Sequence, residues 1–253
     1  MEREVKRLRS EKEKVFRLGN GRYRRRIFPF AVHYRDPDTG LYEEMNSLLK
    51  KSETGYVTTD GNAEITFSAD GTNGNTVTIH APEGSVSMSF AGKHRSHGGR
   101  RKNNPFPQMK TPYGLGKPED GKHPMICFDR CTEEADLVYE TCRDGLKERL
   151  LLSDPCESYA FDFELGTDGY LLKADSDRNK LCVRRRTDGK TVYEMPAPRM
   201  EDAGGAASDR IRMQLRQRKR GKYVLTLTAD RDWLNAPERE FPVTVQSSLF
   251  KVT

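Results

Sequence analysis

Residues Tyr223-Val224-Leu225-Thr226-Leu227-Thr228 and Ser85-Val86-Ser87-Met88-Ser89-Phe90 set one kind of side chain against another at every second position. Successive side chains of a strand point to opposite faces, so each hexapeptide reads as a strand with one face in a core and the other in water. Working outward, similar alternating or β-branched runs occupy Arg22–Val32, Tyr56–Thr59, Ala63–Ser68, Thr76–Ala81, Ser158–Leu165 and Tyr170–Ala174. Leu181–Arg185, Thr191–Met195, Arg210–Arg216 and Phe241–Val245 continue the series. Between the runs stand Asn20-Gly21, Asp60-Gly61, Asp70-Gly71, Asp144-Gly145, Asp168-Gly169 and Asp188-Gly189. Such dipeptides favour two-residue hairpin turns, because Asn and Asp tolerate positive φ and Gly adopts it freely.

Short strands at regular spacing predict an all-β fold, an antiparallel β-sandwich, and not alternating strand–helix units. The sandwich is expected either as two halves or as one extended super-sandwich, with a short N-terminal helical or disordered arm. The apolar share of 34% implies a thin or divided core. The stretch 92–125 is rich in Gly, Pro, Lys, Arg and Asn and lacks apolar periodicity. It therefore reads as a loop or linker. The expected organisation is a basic arm at 1–14, an N-terminal β-sandwich half at 15–91, the loop at 92–125, and a C-terminal half at 126–253.

Charge is concentrated at one end. Residues 1–26 carry 11 Lys and Arg against 4 acids, whereas the chain as a whole is only +6. Basic and acidic residues interleave over Met1–Lys14, as on a solvated helix face. Arg24, Arg25 and Arg26 would alternate in direction on a strand, so at most two point the same way. A second basic stretch, Arg210–Lys222, alternates with Ile211, Met213 and Leu215 and contains no stacking aromatic before Tyr223. Nucleic acid is accordingly disfavoured as a partner at this level. No run of about 18 apolar residues is present to span a membrane as a helix, and no apolar signal-like core opens the chain.

The search for chemistry leaves no catalytic residue. Asp162 and Glu164 share one strand face opposite Phe161, Phe163 and Leu165, the pattern of a wet face backing an apolar one. Asp230 and Asp232 flank Trp233, which suggests a sugar-stacking site with Trp233, Asp230 and Asp232 as candidate binding residues. The competing reading of Trp233 is a core anchor. Cys127 and Cys131 with His94, His97 and His123 form a loose His/Cys group whose spacing does not make a structural zinc site, so no metal and no cofactor are expected. The odd set of five cysteines reads as reduced thiols. Neither a Gly-x-Ser-x-Gly elbow nor a phosphate-binding Gly-rich loop occurs.

Four segments resemble the N-terminal β-rich module of bacterial surface and secreted proteins that carry DNRLRE-type domains or Rhs/YD repeats of the wall-associated kind. The first runs from Gly21-Arg22-Tyr23 through Val32-His33-Tyr34-Arg35-Asp36 to Tyr42-Glu43-Glu44-Met45-Asn46. The second is Ala135-Asp136-Leu137-Val138-Tyr139-Glu140 leading to Asp144-Gly145-Leu146-Lys147-Glu148. The third is Met195-Pro196-Ala197-Pro198-Arg199-Met200-Glu201-Asp202-Ala203, and the fourth joins Asp230-Arg231-Asp232-Trp233-Leu234 to Arg239-Glu240-Phe241-Pro242-Val243. The resemblance implies a non-enzymatic structural or interaction module, extracellular or at the cell surface, with a protein or cell-wall glycan as partner. A carbohydrate-binding or carbohydrate-active sandwich using Trp233 is the alternative. Members of that family continue beyond the position of Gln246 into further domains, so a shortened or stand-alone copy is expected. With no export signal visible, the cytoplasm is the alternative location.

Overall fold

The computed structural model describes residues 2–29, 31–36, 38–45, 49–58, 61, 63–68, 76–93, 108–110, 125–132, 135–142, 145–155 and 159–252. The N-terminal residues form an antiparallel sheet of β1 (Arg3–Glu4), β2 (Glu13–Arg17) and β3 (Tyr23–Ile27), with a 3-10 turn at Lys6–Leu8. A ribbon of β4 (His33–Arg35) and β5 (Tyr42–Glu44) follows. Next comes a meander of β6 (Lys50–Lys51), β7 (Gly55–Thr58), β8 (Glu64–Ser68), β9 (Thr76–Ala81) and β10 (Gly84–Lys93). A second meander comprises β11 (Gln108–Lys110), β12 (Met125–Thr132), β13 (Ala135–Cys142) and β14 (Gly145–Leu152). The chain continues through β15 (Ala160–Asp168), β16 (Tyr170–Asp175), β17 (Lys180–Arg185), β18 (Thr191–Met195), β19 (Arg199–Glu201) and β20 (Ala207–Ser208). It ends with β21 (Ile211–Lys219), β22 (Lys222–Ala229), one helical turn α1 (Arg231–Leu234) and β23 (Val243–Lys251).

Two large antiparallel sheets result. One has the order β21-β22-β15-β10-β9-β8-β7-β6; the other runs β11-β12-β13-β14-β23-β18-β17-β16, with β19 and β20 attached at β23. The first sheet joins strands from both sides of the 92–125 stretch, because β10 pairs with β15 in the register Met88↔Leu165 and Phe90↔Phe163. Alternate residues face inward from both sheets. Ile65, Phe67, Val77, Ile79, Phe161, Phe163, Leu225 and Leu227 come from the first, and Leu137, Tyr139, Leu146, Leu150, Val183, Val243 and Val245 from the second. They make one continuous core. The all-β class is therefore observed. His94, His97, His123 and most of the 92–125 stretch lie outside the described residues.

Two expectations are corrected. The arm is not an α-helix or a disordered segment: Arg3–Glu4 and Glu13–Arg17 are strands, with the 3-10 turn at Lys6–Leu8 between them. Its interleaved charges, which suit i,i+4 pairing on a helix, are met across strands instead, Glu2 by Arg24 and Lys14 by Glu44. Asp168-Gly169 does not make a hairpin. It carries the chain from β15 in one sheet to β16 in the other. Gly169 has φ of +70°, and a Cβ there would lie 2.0 Å from the Glu83 carbonyl oxygen. Only glycine allows the two crossing backbones to approach so closely.

Among the polar side chains at inward positions of the second sheet, Glu148 is an acid. Glu148 is buried in β14, directly opposite Tyr139 and Ser247, and the Ser247 hydroxyl donates to its Oε1 at 2.7 Å. Burial outweighs these hydrogen-bonding neighbours and pushes the carboxyl from 4.5 up to about 7. An acid that holds its proton more tightly when folded makes stability fall as pH rises, here between about 4.5 and about 7, with no further slope above. The loss across that window is on the order of 3 kcal/mol. Glu148→Gln, which puts an uncharged amide where the carboxyl stands, is expected to remove the slope. Urea unfolding at a series of pH values checks this, and an unchanged slope in the variant contradicts it.

Candidate nucleic-acid interface

Of the residues singled out around Trp233, Asp230 and Trp233 itself are engaged within the fold. Asp230 is the N-cap of α1, its Oδ1 accepting from the Trp233 N–H at 2.8 Å, as its place before a helical turn favours. Asp232 is exposed in the first turn. Trp233 is half-buried against the core. The Arg239 guanidinium lies 4.0 Å from its ring centroid, and Arg239 Nε donates to the Trp233 carbonyl at 3.1 Å. Arg239 also donates to Asp202 Oδ2 at 2.6 Å, with both side chains almost fully covered. Burial pushes the Asp202 carboxyl up, but the N–H groups of Ala206 and Glu240 and the Arg239 guanidinium outweigh it and hold it below the ordinary value. Among the described residues, Asp162 Oδ1 accepts from the Thr226 hydroxyl at 2.6 Å, and no group of three His, Cys, Asp or Glu could hold a metal ion.

The strongly charged surface is the N-terminal sheet. Register Arg3↔Arg17↔Tyr23, Val15↔Arg25 and Glu13↔Ile27 places Arg3, Val15, Arg17, Tyr23, Arg25 and Ile27 on one face, with Val15 buried at its centre and Glu13 as the acid beside Ile27. Glu4, Lys14, Phe16, Arg24 and Arg26 share the other face. On that second face the basic groups are engaged: Arg24 pairs with Glu2, Lys14 with Glu44, and Arg26 covers the Phe16 ring at 5.1 Å. On the first face Arg3, Arg17 and Arg25 are exposed, as are Tyr23 at 55% and Ile27 at 70%. Among the described residues none of these three arginines enters an ion pair.

Arg9 holds this sheet to the ribbon. Its side chain is buried and grips both carboxylate oxygens of Glu4, at 2.9 and 3.1 Å, while reaching Glu43 at 3.1 Å. The guanidinium hydrogen bonds hold the Glu4 carboxyl below its ordinary value. His33 is buried beside them, 2.7 Å through Nδ1 from the Ser10 carbonyl, and burial lowers its pKa. A second basic edge lies on β21, where Arg212, Gln214 and Arg216 alternate outward from Ile211, Met213 and Leu215. Residue spacing alone shows neither that Arg3 and Arg17 join Arg25 nor that an aromatic ring stands among them. The Asn20-Gly21 turn is the available signal, since it fixes Arg17 opposite Tyr23.

Known relatives match nearly the full length of the chain. The chain is 27% identical over 256 residues to a protein named tRNA nuclease WapA from Bacillus subtilis, covering 98% of this chain and 10% of that protein. Proteins named tRNA3(Ser)-specific nuclease WapA, from Bacillus spizizenii, and tRNA(Glu)-specific nuclease WapA, from Bacillus subtilis subsp. natto, are each 26% identical with the same coverage. A protein named wall-associated protein from Geobacillus stearothermophilus is 26% identical over 200 residues, 77% of this chain and 73% of that one. The chain thus spans about a tenth of the length of the nucleases it matches. It is a distant homologue of cell-wall-associated bacterial proteins. No protein-family model matches, and no solved structure matches. Among the described residues no helix is long and apolar enough to cross a membrane.

These relatives correct three expectations. A purely non-enzymatic module, with a carbohydrate-binding sandwich as its alternative, is not what three of them are named for: those three are named tRNA nucleases. Non-enzymatic character and the exclusion of nucleic acid as a partner fall for the same reason. The exclusion rested on charge interleaving along the chain and on the lack of stacking aromatics in Arg210–Lys222, whereas strand pairing in the N-terminal sheet sorts the charges by face and sets Tyr23 among them.

The Arg9 clamp is testable. Removing the buried Arg9 leaves the part-buried Glu4 carboxylate without its partner, a cost of about 1–3 kcal/mol. Arg9→Leu is expected to speed amide exchange across β1–β3 while β14 and β22 keep their protection. Arg9→Lys, lacking the fork that grips both Glu4 oxygens, restores only part of it. Exchange unchanged in β1–β3 contradicts the clamp.

Proposed function

We propose that the chain serves tRNA cleavage at the bacterial surface, as a β-sandwich segment of a wall-associated nuclease of the DNRLRE or Rhs/YD-repeat kind. Its basic N-terminal sheet meets the RNA backbone. One observation carries this reading: the match extends over 98% of the chain to nucleases named for two different tRNAs, at the same 26% identity. What this chain shares with both is common to enzymes of different specificity, so its contribution is one that reads no particular sequence. Contacts from arginine to phosphate have that character, since they position a nucleic acid without discriminating bases. The exposed Arg3, Arg17 and Arg25 supply them.

Retention of two unrelated tRNAs by the purified chain tests the proposal. Both are expected to bind with equal affinity and to be released steeply between about 50 and 200 mM salt. Joint replacement of Arg3, Arg17 and Arg25 by alanine is expected to flatten the logarithmic salt dependence by roughly 2–3, near one unit per phosphate contact. No retention of either tRNA at the lower salt, or tenfold preference for one, overturns the reading.

A further inference from the structure

We infer that the Tyr23 face of the N-terminal sheet is a stacking platform for unpaired RNA nucleotides, with the Tyr23 ring taking a base and Arg3, Arg17 and Arg25 taking the adjoining phosphates. This deepens the preceding proposal and rests on it.

Register supplies the geometry. Tyr23 stands directly across from Arg17, which stands directly across from Arg3, so the three side chains form one row on one face. Paired strands are about 4.8 Å apart, and Arg25, two residues along β3, is roughly 7 Å from Tyr23. An aromatic ring with cations on two sides is the arrangement by which sheets hold single strands: the ring covers a base of any identity while the charges follow the backbone. The ring is 55% exposed, so the gain from covering it is still available to a ligand.

Other occupants fit less well. A second copy of β3 pairing antiparallel at the open edge would set Arg24 against Arg26 and Arg25 against itself, and like charges directly opposed are destabilising. An acidic peptide satisfies the arginines but brings no flat surface to the Tyr23 ring. Duplex RNA satisfies the phosphate contacts, yet its bases are stacked on one another and cannot reach a ring lying in a sheet face. Unpaired RNA uses both features at once. The reverse face, with its arginines and lysine already engaged by Glu2, Glu44 and Phe16, offers neither.

The test measures binding of the full chain to a twelve-nucleotide oligouridine and to a duplex of equal length. Tyr23→Ala is expected to weaken oligouridine binding about 5- to 100-fold, the range for loss of one stacked base, while leaving its salt dependence and the duplex affinity unchanged. Tyr23→Phe keeps the ring and is expected to stay within about twofold. Arg25→Ala lowers the salt dependence by about 0.7, the single-strand value for one phosphate. An unchanged thermal midpoint shows that each variant is folded, as the exposure of Tyr23 leads one to expect. If tRNA is retained but neither Tyr23 variant alters oligouridine binding, the platform is wrong and the broader reading stands. Polyglutamate displacing oligouridine as effectively as RNA does also rejects the platform. Should the unmodified chain retain no RNA at low salt, both fall together.

Discussion

The pairing of β10 with β15 is the contact on which the architecture depends. It joins a five-stranded meander to a three-stranded group whose residues lie far along the chain, and so completes one sheet. Phe90 and Phe163 stand opposite one another with ring centroids 5.1 Å apart, and Met88 faces Leu165. Bringing such distant segments together costs loop entropy, but that cost grows only slowly with length. The return is large, because Met88, Phe90, Phe163 and Leu165 all bury their side chains across the junction. At the end of the pairing, Gly84 and Gly169 let the backbones pass where a Cβ would clash: it would lie 2.1 Å from the Asp168 oxygen in one case and 2.0 Å from the Glu83 oxygen in the other. The crossing between sheets and the pairing within a sheet are thus fixed at one place.

The second sheet has its own fixed point. β23 lies between β14 and β18, with β19 also paired to it, so the strand that closes the described chain is central and not peripheral. The segment that delivers it is short of regular structure. Asp202 receives Arg239 and the N–H groups of Ala206 and Glu240, and Arg239 in turn covers Trp233. A buried guanidinium that serves a carboxylate, a carbonyl and an indole face together is strongly constrained in position. The chain therefore enters β23 from one direction and in one register.

Much of this was readable from alternation and turns. The strands around Val86, Phe163, Leu225 and Val243 alternate because each has one face in the core, and the two hexapeptides quoted at the outset lie in adjacent sheet positions on either side of β15. Sheet membership was not readable. Asp168-Gly169 has the composition of a hairpin turn, and only the proximity of Glu83 shows that it carries the chain to another layer. The N-terminal arm misled for a related reason. Alternating charges satisfy a helix at i,i+4 and a sheet across strands equally well, so local sequence cannot choose between them, whereas a buried Arg9 gripping Glu4 and Glu43 can. Trp233 was legible as a core anchor beside a strand end, but Arg239, which covers it, is six residues away and carries no marker of its own.

The sorting of charge by strand parity explains how a chain whose basic residues interleave with acids can still present a polarised surface. Within the N-terminal sheet, Glu2 and Glu4 share parity with Arg24 and Phe16, so the acids of β1 fall on the face where the ribbon brings Glu43 and Glu44. The opposite parity receives Arg3, Arg17 and Arg25 with Glu13 as its acid. A one-residue slip of β3 against β2 would exchange Arg25 with its neighbours and mix the two sets, because side-chain direction reverses at every residue. The Asn20-Gly21 turn prevents that slip: Gly21 takes φ of +79°, and the Asn20 side chain accepts from the Arg22 N–H at 3.1 Å. The positive field over one face is therefore a consequence of turn chemistry, and it persists while the net charge of the remaining chain stays near zero.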